Sequence, residues 1–210
     1  MTTVSQTVST DLPPLVSIGI ATHNAEETAL RALESALMQT WPNVEVVVVD
    51  DSSTDGTWET VTAFASKHSN VTVRQNVPNG GIACVRNIIV DIANGEFICF
   101  LDDDDLNRSD RVVRQISRIL TYEEKHGTDL IFCYCGRDVV AGGTVHTAPS
   151  PIGSTSPEPF GPSVADYVLG LPAAGAENIW GPMGCGTMMA RKTTLQRAGL
   201  FDVKFRRAEG

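Results

Sequence analysis

Apolar residues along the first two thirds of the chain fall into two alternating patterns: short runs of β-branched and aromatic side chains, and stretches where they return every three or four positions. Residues 15–21 are the first such run, a predicted strand that ends in Thr22-His23-Asn24. Leu30, Leu33 and Leu37 then keep helical spacing; Asn24 followed three residues later by Glu27 has the form of a capping box, and Trp41-Pro42-Asn43 stops the helix. Val44-Glu45-Val46-Val47-Val48-Val49 reads as a central strand buried on both faces, and it terminates in Asp50-Asp51. Residues 52–57 are turn and capping types that lead into a helix with Val61, Phe64 and Ala65 on one side.

Val71-Thr72-Val73-Arg74 is a short third strand, and Asn79-Gly80-Gly81 opens a helix through Ile82, Val85, Ile89 and Ile92 that Asn94-Gly95 closes. Phe97-Ile98-Cys99-Phe100-Leu101 is another buried strand, followed by a helix with Val112, Val113, Ile116, Ile119 and Leu120 on its apolar face, and residues 130–135 form a further buried strand. This alternation predicts an α/β/α sandwich on a mainly parallel, twisted sheet.

Beyond Gly142-Gly143 the pattern changes. Residues 147–162 contain Pro149, Pro151, Pro157, Pro159 and Pro162 and are expected to form a long mobile loop of the kind that lids or lines a site. Residues 180–186 are irregular, residues 187–190 a strand, and residues 193–198 a short helix with Gly199 beyond its end. Residues 1–14 are a Ser/Thr-rich polar tail expected to be disordered, leaving one domain over residues 15–210. The chain halts at Arg206-Arg207-Ala208-Glu209-Gly210 without a stop signal, so a C-terminal truncation is expected.

With 42% apolar residues, 210 residues are ample for one buried core. The net charge of −9 argues against a nucleic-acid partner, whose phosphates need clustered Lys and Arg. No apolar run is long enough to span a bilayer and the start lacks the blocks of a signal peptide, so a cytoplasmic protein is expected, a peripheral membrane position remaining open. Cys84, Cys99, Cys133, Cys135 and Cys185 form no Cys-x-x-Cys pair and read as reduced core thiols; His23, His68, His126 and His146 lack zinc-site spacing.

The chemistry concentrates in Asp102-Asp103-Asp104-Asp105, set at the carboxyl end of a strand, where open α/β sheets bind ligands. Four adjacent carboxylates repel one another, so they splay into water, rise in pKa, or share a cation. A solvated turn that caps the next helix is the plain reading; position at a strand end favours a hard ion such as Mg²⁺ or Mn²⁺, with coordination sites left for phosphate oxygens. Gly80-Gly81 at a helix start suits an anion or an ordinary turn, and Arg86 one turn on suits a phosphate or an acid.

Val16-Ser17-Ile18-Gly19-Ile20-Ala21-Thr22-His23-Asn24, Ser35-Ala36-Leu37-Met38-Gln39-Thr40, Val49-Asp50-Asp51-Ser52-Ser53-Thr54-Asp55-Gly56-Thr57 and Ala93-Asn94-Gly95-Glu96-Phe97-Ile98 before the acids together closely resemble glycosyltransferase family 2. The resemblance spans residues 15–210 and implies a GT-A fold that transfers sugar, with inversion, from a nucleotide-sugar donor to a glycan, lipid-linked or small-molecule acceptor. It implies that Ala21, Thr22, His23 and Asn24 border base and ribose, although the family often has Pro and Tyr in place of Ala21 and His23. Asp51 would accept from the uracil imide, Asp103 would lie near the ribose, and Arg86 would join the nucleotide site. Asp104 would hold Mn²⁺ or Mg²⁺ with Asp102 in support, and Asp105 would cap the next helix. The family's base follows a Gly-Phe-Asp segment; Gly199-Leu200-Phe201-Asp202 fits, which makes Glu209 the candidate base, with Gly210 where the family commonly has Asp.

Three other readings compete. A sugar nucleotidyltransferase would want a Gly-rich basic loop after the first strand, and Thr22-His23-Asn24-Ala25-Glu26 is not one. A nucleotide-sugar-binding domain without turnover is favoured by Gly210, and a purely structural α/β domain leaves the acid-bearing loops unexplained.

Overall fold

The computed structural model describes residues 12–156, 158–168 and 183–204. The β-branched runs become strands β1 (Val16–Thr22), β2 (Val44–Asp50), β3 (Val71–Gln75) and β4 (Phe97–Asp102). Between them lie helices α1 (Ala29–Leu37), α2 (Thr57–Ala65) and α3 (Ile82–Ile92), and α4 (Arg111–His126) follows. The chain continues through β5 (Phe132–Tyr134), β6 (Asp138–Ala141), β7 (Thr144–Thr147), α5 (Pro162–Val168), a single 3₁₀ turn (Cys185–Thr187), β8 (Met188–Arg191) and α6 (Lys192–Arg197).

The main sheet has the order β3-β2-β1-β4-β8-β5. β3, β2, β1 and β4 run parallel, while β8 is antiparallel to β4 and to β5. Side chains of a strand alternate between faces, and the core divides accordingly. Val46, Val48, Phe97, Cys99 and Leu101 pack with α1, α2 and α4 on one face. Val47, Val49, Ile98 and Phe100 pack with α3 and α6 on the other. The predicted α/β/α sandwich, mainly parallel, is thus the fold observed.

Two polar anchors fix the amino ends of the central strands. Glu45 accepts from Ser17 Oγ (2.5 Å), Asn94 N (2.6 Å) and Gly95 N (3.2 Å), tying the turn before β4 to β1 and β2. Arg191 binds Glu96 and Glu123 and lies over the Phe97 ring at 4.5 Å, which pins β8 to the parallel block.

Several local expectations are corrected. Asn24 caps no helix: it adopts a left-handed φ of 52° and its Oδ1 accepts from Thr54 N (2.8 Å), while the observed α1 cap, Thr28, lies four residues beyond the predicted one and makes no side-chain capping bond. Asp105 caps nothing either; Asp110 takes that place before α4, and the Asp105 amide instead closes a turn onto the Asp102 carbonyl (3.2 Å). Residues 130–135 shrink to a three-residue edge strand with Phe132 41% exposed, because its only described neighbour is β8. Leu30 and Leu120 face solvent. The hairpin β6–β7, exposed along both strands, was not anticipated at all. All five cysteines are free, with only Cys99 fully buried. Most of the expected tail (through residue 11), residues 180–182 of the irregular stretch, and Glu209 with Gly210 lie outside the described residues.

Candidate active site

The order β2-β1-β4 makes the gap between β1 and β4 a topological switch point, where the connections on either side lead away from one another and leave a crevice at the carboxyl ends. A cavity of about 1050 Å³ opens there. It is lined by Ala21, Thr22, His23, Asp51, Arg86 and all four acids of the run, which the sequence separates by up to 84 positions. Asn24, expected beside them, is not in the lining; its side chain spans outward to Thr54.

Asp51, at the end of β2, is 4% exposed. Its Oδ1 accepts from Asn76 Nδ2 (2.6 Å) and Gly80 N (2.9 Å), and its Oδ2 from Gly81 N (2.8 Å). The start of α3 therefore does receive an anion, as the glycine pair suggested, but that anion is the protein's own carboxylate. Each carboxylate oxygen has two lone pairs, so Oδ2 retains capacity for one donor from the cavity. Asn79, missed in the sequence, reinforces the same corner by donating to the Asp51 carbonyl (2.9 Å).

His23 follows β1. Its Nδ1 lies 2.9 Å from the Asp51 carbonyl, which can only accept, so that nitrogen carries the ring proton. The His23 amide donates to Asp103 Oδ2 (3.2 Å), linking the first strand to the acidic run. Thr22 is 1% exposed and its hydroxyl donates to Asp50 Oδ1 (3.3 Å), so it contributes wall rather than a free polar group.

In the run itself, Asp102 pairs with Ala21 across β1–β4 and lies 3.5 Å from Arg86 Nη2. Of the two uses the sequence left open for Arg86, the acid partner is the one observed. Burial first, and the neighbouring Asp104 and Asp102 charges with it, push the Asp103 carboxyl up to about 6 against the pull of the His23 amide. Among the described residues Asp103, Asp104 and Asp105 make no ion pair, so the run is short of positive charge. Nor does any group of three or more Asp, Glu, His and Cys side chains among them form a closed metal cage. What remains is an open, all-oxygen half-site, which fits a hard divalent ion that takes its other ligands from phosphate and water.

The opposite wall comes from the 3₁₀ turn before β8. A Cβ on Gly186 would stand 2.2 Å from Asp102 Oδ2, so only glycine lets this backbone approach the carboxylate. Cys185 beside it is pushed up to about 11, chiefly by burial, and stays a neutral thiol. Cys185 reads in the sequence only as a core thiol and Gly186 only as part of an irregular stretch; the glycine-rich residues 181–186 were the available signal.

The mainly parallel sheet, with an open carboxylate half-site at its switch point and a second buried acid on the neighbouring strand, has the GT-A fold. The profile of Glycosyl transferase family 2 matches residues 17–150, well over half of the sequence, and the chain belongs to that family. It is 37% identical over 135 residues, 64% of its length and 52% of the relative's, to the UDP-Glc:alpha-D-GlcNAc-diphosphoundecaprenol beta-1,3-glucosyltransferase WfaP of Escherichia coli. It is 34% identical over 139 residues, 65% of its length and 47% of the relative's, to the putative colanic acid biosynthesis glycosyl transferase WcaA of Escherichia coli K12. The chain spans about half the length of these curated relatives. Among solved structures, S. aureus TarS 1–349 in complex with UDP superposes with a TM-score of 0.66 at 23% identity, covering 92% of this chain and 52% of that one, which shows the shared fold. No helix among the described residues is long and apolar enough to cross a membrane.

Proposed function

We propose that this chain carries the donor site of an inverting glycosyltransferase that moves a sugar from a nucleotide diphosphate, UDP before others, to a hydroxyl acceptor. The observation that carries this reading is the convergence of Asp51, His23 and the run Asp102–Asp104 on one cavity at the switch point. Asp51 Oδ2 offers its spare lone pair to an imide N–H, and thymine would satisfy it as uracil does. His23 and Ala21 form the wall for the base, and Asp103, anchored by the His23 amide, faces the ribose.

Asp104 would hold the Mn²⁺ or Mg²⁺ ion with Asp102 in support, and that ion would supply the positive charge that a leaving diphosphate needs. Arg86, already at Asp102, adds a guanidinium to the same end. The acceptor oxygen attacks the anomeric carbon, the bond from that carbon to the diphosphate oxygen breaks, and the acceptor proton passes to a carboxylate base. Glu209 is the candidate for that base. For the acceptor we favour a lipid-linked glycan, the class printed in the name of the WfaP relative, and for the setting polysaccharide biosynthesis, as the name of the WcaA relative has it, with the chain in the cytoplasm.

Melting temperature with UDP, GDP and dTDP, with and without Mn²⁺, tests the donor site. At about a hundred times its dissociation constant a ligand adds about 2.7 kcal/mol. A UDP shift that requires Mn²⁺ and is lost in Asp104→Ala supports the reading; no shift with any nucleotide in the folded protein overturns it. Turnover of UDP-sugar then separates a transferase from a binding domain without turnover.

A further inference from the structure

The α3 helix does more than cover the sheet. Asn87, in its second turn, uses its whole side-chain amide on one residue 114 positions away: Nδ2 donates to the Phe201 carbonyl (2.8 Å) and Oδ1 accepts from the Phe201 amide (2.9 Å). This pairing copies a strand ladder with a side chain in place of a strand. The Phe201 ring meets Phe100 edge-on at 5.6 Å and lies 5.7 Å from the Arg86 guanidinium, the same group that sits 3.5 Å from Asp102. Phe201 is brought there by a turn in which Gly199 and Leu200 have φ of 93° and 63°, a left-handed conformation that a leucine rarely adopts. Residue 201 also lies outside the stretch matched by the family profile.

We propose that Asn87 is a positioning residue that couples the turn at residues 199–202 to the donor end of the cavity, through Phe201 and Arg86. The inference rests on the donor-site reading above. A ligand that fixes Arg86 at Asp102 also fixes the guanidinium over the Phe201 ring, so UDP stabilises the docked turn. Linkage requires the reverse with equal strength: the docked turn tightens UDP by the same factor.

Hydrogen exchange at the Phe201 amide, with and without UDP and Mn²⁺, and UDP affinity in the same samples test this in wild type, Asn87→Ala and Asn87→Asp. Alanine suits the helix, and the aspartate keeps the acceptor for the Phe201 amide while losing the donor to its carbonyl. Exchange at the buried β4 amides reports that the fold is intact. In wild type UDP slows Phe201 exchange by about tenfold; both variants exchange faster without ligand and bind UDP weaker by about that same factor. A freed turn with unchanged UDP affinity overturns the coupling and leaves Asn87 a structural clamp. A Phe201 amide still protected in both variants overturns the clamp. Failure of wild type to bind UDP overturns the donor-site reading and the coupling together, an outcome distinct from the other two.

Discussion

The parallel strands β1, β2 and β4 and most of the segment after α4, β8 apart, are built on opposite terms. Each of β1, β2 and β4 is buried along most of its length, and Val46 through Val49 are at most 1% exposed. By contrast β6 and β7 are exposed at every position, with Val140 71% and Val145 62% accessible, and β5 has no buried residue. Helices pack on both faces of the first region, and its strand ends carry the carboxylates. The second lines the site with Cys135, Gly136 and Arg137, with Pro149 and Pro151, and with Met183, Gly184, Cys185 and Thr187 at the 3₁₀ turn. A donor common to many enzymes suits the covered half, and an acceptor that differs among them suits the open one.

Substitutions sharpen this contrast, beginning with the largest effect. Phe97→Ala empties a fully buried site under the Arg191 guanidinium and is expected to cost about 3–5 kcal/mol in urea unfolding. Gly186→Ala, at a buried glycine of the second region, presses on Asp102, so Mn²⁺-dependent UDP affinity falls about tenfold, about 1.4 kcal/mol, by calorimetry, while the melting temperature without ligand stays near wild type. Glu45 gives a pH effect remote from the acids. Burial raises its carboxyl, and the hydrogen bonds from Ser17, Asn94 and Gly95 together outweigh this, leaving the folded pKa below the ordinary 4.5. The folded protein thus holds the proton less tightly than the unfolded chain. The resulting stability is fully present above the unfolded value and is lost as pH falls through the folded one. The stability gap between wild type and Glu45→Gln should therefore narrow between about pH 6 and about pH 3. Val140→Ala, on the exposed hairpin, should stay within about 0.5 kcal/mol of wild type; a larger loss would mean the open half is covered in solution.

How legible each part was follows from the range of the forces that form it. β1, β2, α3 and β4 were readable to within a residue or two, because burial on both faces demands continuous apolar runs. The location of Asp102–Asp105 at the carboxyl end of a central strand followed from the same runs. What failed were interactions with distant partners: Asn24 has a capping residue's chemistry, and its place is decided by Thr54, 30 residues on. Asp51 was readable as a site acid, but not its enclosure by Asn76, Gly80 and Gly81, which depends on how β3 pairs with β2. The hairpin escaped because Val139, Val140 and Val145 are too few to mark strands that bury nothing. Gly186 is visible as a glycine but its reason, the Asp102 carboxylate, is 84 residues away.

The two regions meet along one strand edge, flanked by ties from Gln115 to the Cys133 and Thr187 carbonyls and from Asn87 to Phe201. β8 meets β4 at three residue pairs, Phe97 with Arg191, Ile98 with Ala190 and Cys99 with Met189, and the Arg191 guanidinium in its two-glutamate socket locks the third dimension. A downstream sequence that supplies three such rungs, a guanidinium and a glycine opposite Asp102 would meet the same acid-lined cavity. The architecture is in that sense a plug and a receptacle: on the proposed reading, acceptor chemistry would change on the β8 side while the nucleotide side kept its strands.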